Sequence, residues 1–178
     1  MGTGAFAVVN TQPFSLVRTF PLNCSPAELA HGPGSTLFVG CNPAAEVIDF
    51  NTGSLVATLG SLPSNDEVWY NPGANQFLFT TSAAPQMLFV YEGGTFKLLE
   101  SDRLNGGNHN LAAYSSNNEV FVVLRPPNTD CPNGCIAVFG PLGSGSQPLF
   151  VGPTQPQSIG APQSQSGGAP QSGTVGGP

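Results

Sequence analysis

Ser15-Leu16-Val17-Arg18-Thr19-Phe20 returns as Ser54-Leu55-Val56-Ala57-Thr58-Leu59, 39 residues further along a chain of 178. At the same offset Val8-Val9-Asn10 falls on Val47-Ile48-Asp49, Pro33-Gly34 on Pro72-Gly73, and Phe38 on Phe77. A looser third copy reads Leu88-Phe89-Val90-Tyr91, a glycine turn, then a second strand at Thr95-Phe96-Lys97-Leu98. A fourth unit runs through Leu111-Ala112-Ala113-Tyr114, Asn117-Asn118, Glu119-Val120-Phe121-Val122-Val123-Leu124 and Ile136-Ala137-Val138-Phe139. A period of roughly 39–44 residues lies in the range of propeller blades.

Each unit has one grammar. A short apolar run (Glu28-Leu29-Ala30, or Glu67-Val68-Trp69-Tyr70) enters a turn carrying Pro-Gly or Asn-Asn. A second run follows, then a third and a fourth, the last two split by Asn51-Thr52-Gly53 in the best copy. Aromatic and β-branched residues fill the runs, and Asn and Gly punctuate them. No 3.6-residue stripe survives the 23 glycines and 18 prolines, so helices are excluded. Four strands in about 40 residues make one antiparallel sheet, which buries its faces only by stacking on neighbours.

The segments Asn23-Cys24-Ser25-Pro26-Ala27-Glu28-Leu29-Ala30, Asp66-Glu67-Val68-Trp69-Tyr70-Asn71-Pro72-Gly73 and Cys131-Pro132-Asn133-Gly134-Cys135-Ile136-Ala137-Val138 carry a family resemblance. The pattern resembles the YVTN-type repeats of β-propeller proteins, related in shape to NHL and lactonase-like propellers, over residues 5–140. That resemblance implies a binding or surface protein, and more distantly a lactonase or other hydrolase.

The expected architecture is all-β: a partial β-propeller of about three four-stranded antiparallel blades over residues 1–151, with a disordered C-terminal tail. The repeat units are placed at 5–22, 23–62, 63–104 and 105–151. Residues 5–20 read as the last two strands of a blade whose first two are missing. An open fan exposes unpaired edges and an apolar face. It is read as a fragment of a longer product, with pairing to a second copy or a degraded duplicate as the alternatives. From 152 to 178 the chain is uncharged and rich in Gly, Pro, Ser and Gln, with Ala161-Pro162-Gln163-Ser164 repeated at Ala169-Pro170-Gln171-Ser172. Such a segment buries too little apolar area to offset its ordering entropy.

Charged residues make up only 8%, and the net charge is −6. Without a Lys/Arg cluster, nucleic acid and anionic membrane surfaces are excluded as partners. No apolar run approaches the roughly 18 residues of a membrane span. The opening Met1-Gly2-Thr3-Gly4 shows no signal peptide, and Phe6 stands where a myristoylation motif wants Ser or Thr. The four cysteines, Cys24, Cys41, Cys131 and Cys135, allow three pairings. Two local disulfides are the first reading, ahead of free thiols or a metal site, and they imply an extracellular or cell-surface location.

One column of the repeat gathers chemistry. Glu28 falls on Glu67 and Asn110, and Ala27 on Asp66 and His109. In a propeller the first strand of each blade lines the channel, so Glu28, Asp66, Glu67, Asn108, His109 and Asn110 are expected to converge. Carboxylate and amide oxygens suit a divalent cation such as Ca²⁺, with Glu28, Asp66, Glu67 and Asn110 as ligands. Such an ion would polarise a carbonyl or activate water, and His109 or Glu67 would serve as the catalytic group. The plainer reading is that strand starts are polar because they are wet. No nucleophile elbow, zincin motif, P-loop or dinucleotide fingerprint occurs. The sequence therefore points first to a non-catalytic binding or scaffold segment with no required cofactor. A metal-dependent lactonase-like hydrolase is the alternative.

Overall fold

The computed structural model describes residues 4–61, 65–141 and 148–152. Among the described residues are fourteen strands in four antiparallel sheets that follow one another along the chain. Sheet A holds β1 (Ala5–Thr11) and β2 (Phe14–Pro21). Sheet B holds β3 (Ser25–His31), β4 (Thr36–Asn42), β5 (Ala44–Asp49) and β6 (Leu55–Ser61). Sheet C holds β7 (Asn65–Asn71), β8 (Gln76–Thr81), β9 (Met87–Glu92) and β10 (Leu98–Arg103). Sheet D holds β11 (Gly106–Tyr114), β12 (Glu119–Asn128), β13 (Cys135–Phe139) and β14 (Leu149–Val151). Strands adjacent in sequence are adjacent in each sheet, so every sheet is a meander. β7 lies beside both β3 and β11, which sets the first strands of sheets B, C and D side by side. Beyond Gly152, the expected disordered tail lies outside the described residues.

Alternation along each strand sends successive side chains to opposite faces, and each face meets a different neighbour. Three cores result. Phe6 and Leu22 pack with Leu37, Val39 and Ile48 between sheets A and B. Phe38, Val47, Val68, Phe77 and Phe79 fill the gap between B and C. Leu78, Val90, Leu111, Val120 and Val122 fill the gap between C and D. Full burial of each such side chain contributes roughly 1.5–3 kcal/mol, so the fan is held by stacking of sheets.

The register corrects one alignment. Phe38 and Phe77 are not equivalent. Val39 pairs with Leu29, and Phe79 with Val68, so the true partner of Phe38 is Leu78. A slip of one residue turns a side chain to the other face. Phe38 therefore points from sheet B towards C, Phe77 points from C towards B, and their rings stack face to face in one core. The placement of Thr95-Phe96-Lys97 in a strand is also corrected, since β10 begins at Leu98. Phe96 N–H donates to Glu92 O (3.0 Å) as Gly53 N–H donates to Asp49 O (2.7 Å), so the two segments are the same turn. Both sit at positive φ, 75° for Gly53 and 59° for Phe96.

Outer strands share a bulge. Val8 pairs with Arg18 but Val9 with Leu16, leaving Val17 unpaired. Val56 and Leu99 are left out at the matching rungs of β6 and β10.

Candidate functional site

Inner strands carry a second repeated bulge. Between the pairs Pro26–Cys41 and Glu28–Gly40, β3 holds one extra residue. Strand β7 has the same excess between Asn65–Thr81 and Val68–Phe79, and β11 between Asn108–Leu124 and Leu111–Val122. A bulge re-aims the side chains beside it. The residues at these bulges are Ala27 and Glu28, Asp66 and Glu67, and His109 and Asn110.

Glu28 and Glu67 come together across the B–C junction. Glu28 Oε2 accepts a hydrogen bond from Val68 N–H (2.8 Å). Gly40 makes this approach feasible, because a Cβ there would stand 2.8 Å from Val68 Cγ2. The Glu67 carboxyl is pushed up to about 7, first by burial, then by its hydrogen bond to Glu28, with the charges of Glu28 and Asp66 adding to the shift. Two carboxyl groups in contact cannot both ionise cheaply, so the pair retains a proton near neutrality. The structure thus brings together Glu28, Asp66 and Glu67. Asn110 stands exposed at the matching place on β11. His109 lies in the same strand, and its side chain is outside the described residues.

Sequence reasoning missed what stands beside the acids. A cleft of about 280 Å³ opens between β3 and β7, lined by Glu28, Leu29, Ala30, His31, Val68, Trp69 and Tyr70. Trp69, expected to pack between blades, borders the cleft and is 42% exposed; it pairs with Leu78, whose face looks to sheet D, so its side chain stands on the opposite face of β7 from Val68 and Tyr70. His31 ends β3, exposed, with its ring 5.3 Å from that of Phe50.

Asn65 and Asn108 occupy one repeat position and do one job. Asn108 Nδ2 donates to Thr81 O (2.8 Å), and Asn65 Nδ2 donates to Cys41 O. Each ties the first strand of one sheet to the second strand of the sheet before it. Asn108 was expected at the channel, but it is 1% exposed and serves the junction.

The cysteines pair as Cys24–Cys41 and Cys131–Cys135, with Cα separations of 5.6 and 6.0 Å, inside the usual disulfide range. The buried Glu46 carboxylate lies within 4.8 Å of both Cys24 and Cys41 sulfurs, but the oxidised pair offers no thiolate to a metal.

No family model matches the chain, and no curated protein matches it in sequence. Solved structures do match its fold. Hydrazine synthase of Kuenenia stuttgartiensis superposes with a TM-score of 0.64 at 14% identity, over 76% of this chain and 40% of that one. Dihydro-heme d1 dehydrogenase NirN in complex with DHE superposes with a TM-score of 0.59 at 15% identity, over 79% of this chain and 31% of that one. These are β-propeller proteins. The fold is that of a β-propeller segment. The chain spans less than half the length of either, and at this identity the likeness speaks to fold alone.

Proposed function

We propose that this chain is a non-catalytic binding or scaffold segment of a larger propeller of the YVTN type, working outside the cell or at its surface. The observation that carries the reading is the stacked series of sheets. B, C and D are complete, and sheet A supplies only the strands equivalent to the third and fourth of the others. Two disulfides support an oxidising compartment. The cleft between β3 and β7, with the paired carboxyls at its edge, offers apolar walls and polar groups, which suits ligand binding. Partners are further blades or a second copy. Light scattering on the eluting chain tests this: concentration-dependent association is expected, and a folded monomer at every concentration tested overturns the segment reading. Calorimetric titration with glycans then separates a binding role from a scaffold role.

The Glu28–Glu67 contact favours one second reading, a metal-dependent hydrolase of lactonase-like type. Glu28, Asp66 and Glu67 would hold a divalent cation such as Ca²⁺, and His109 would act on water. Metal analysis of the purified chain with less than one equivalent of cation sinks it.

A further inference from the structure

Sheets B, C and D each turn one face in the same direction along the series, and the row across each is set by the pairing register. In sheet B the row is Ala30, Phe38, Val47, Ala57, and sheet C covers it. In sheet C it is Trp69, Leu78, Val90, Glu100, and sheet D packs on its middle pair. In sheet D it is Ala112, Phe121, Val138, Leu149. Sheet D thus repeats the Ala-Phe-Val of sheet B on its outer face. Among the described residues, the cores on either side of sheet C use the inward faces of B and D and leave this row out. Leu149 is 64% exposed, and on the next rung Ile136 and Val151 are 42% and 51% exposed.

Resting on the segment reading above, we propose that the outer face of sheet D is the docking face for one further four-stranded blade of sheet C's type. The proposal continues an interface the molecule already uses twice. Sheet C meets the Ala-Phe-Val row of B with Phe77 stacked on Phe38 and Phe79 tilted against it. A blade of that type meets Phe121 in the same way. The polar part of the junction continues too. Cys41, Thr81 and Leu124 are the equivalent positions of the second strands, opposite Pro26, Asn65 and Asn108. The carbonyls of Cys41 and Thr81 each receive an Asn side chain from the following sheet, so the docking blade brings an Asn to Leu124. A second copy is the weaker occupant. Its leading sheet, A, lacks the first strand on which that Asn sits, and in its sheet B the position is Pro26, which has no side-chain donor.

The test inserts a second copy of residues 62–104 after Gly152 in the full chain. Burial of the row is read by binding of an apolar dye and by amide exchange of residues 119–139. The expected result is a several-fold loss of dye binding, slower exchange in that segment, and a Tm higher by at least about 5 °C. Phe121→Asp in the extended chain is expected to abolish all three gains, and Asn65→Ala in the inserted copy to reduce the Tm gain. An extended chain that is folded by circular dichroism, yet binds dye and exchanges as before, overturns the docking face and leaves the segment reading intact. An original chain that is a folded monomer at every concentration overturns the segment reading itself, whatever its dye binding. Association of the original chain that Phe121→Asp abolishes makes a second copy the occupant and overturns the proposed blade.

Discussion

Glu67 ties a single side chain to the pH response of the fold. Its carboxyl has an ordinary value of 4.5 and sits at about 7 in the folded chain. The folded state then binds the proton more tightly than the unfolded state. Stability from this group is complete below about 4.5 and is lost as pH rises through about 7. Partial exposure screens the effect to on the order of 1 kcal/mol. Urea titrations from pH 4 to 8 are expected to show a falling midpoint that Glu67→Gln flattens. A pH dependence unchanged in the variant would assign it elsewhere. Asn108 makes a different kind of contribution. Its Nδ2 bond to Thr81 is buried, but its Oδ1 has no hydrogen-bond partner among the described residues, and the same holds for Asn65. Loss of the bond and relief of the orphan acceptor oppose each other. Asn108→Ala is therefore expected to cost only about 1 kcal/mol in urea unfolding, and Asn108→Asp more, because a carboxylate would face the Thr81 carbonyl.

At the scale of elements, the repeat was legible wherever turn lengths match. Sheets A and B keep the 39-residue offset through both strands and through the bulge at Val17 and Val56. It failed in the hairpin of β7 and β8, which is one residue longer than that of β3 and β4 between equivalent pairs. Composition does not reveal which turn gained the residue, and one residue was enough to put Phe77 on the wrong face. Phe96 misled for a related reason. An aromatic residue in an apolar run reads as strand, but Phe96 takes the left-handed conformation that Gly53 adopts without strain. Its ring reaches the B–C core at 5.7 Å from Phe38, which offsets the backbone cost. Phe96→Gly is expected to be destabilising by about 1 kcal/mol, since the packing lost exceeds the strain relieved; a more stable variant would reverse that order. The disulfides act at this scale as well. Cys24–Cys41 closes a loop across β3 and β4, with a sequence separation of 17, and Cys131–Cys135 closes one of 4. Loop entropy makes the first worth about 3 kcal/mol and the second about 2. Cys24→Ser/Cys41→Ser is expected to lower the urea midpoint more than Cys131→Ser/Cys135→Ser.

For the molecule as a whole, the sheet series was readable from the sequence and the candidate site was readable only in outline. Matched repeat positions placed Glu28 near Glu67, because blades bring equivalent residues round one axis. The inner bulge that aims these carboxyls left no mark in the pattern, since an extra residue in a strand looks like any other. The solvent-facing Trp69 was hidden for the opposite reason: its size argued for burial. Asn108 looked like channel lining, but its side chain reaches sideways to the preceding sheet, as that of Asn65 does.

The unpaired residues Val17, Val56 and Leu99 bear on how such a fan survives in a crowded solution. Any flat sheet rim invites stray extended peptides to zip on rung by rung. Here three rims in succession are kinked at the same height, so an incoming peptide falls out of step after a few rungs. Greasy residues thus line the circumference without turning it into a seed for fibrils.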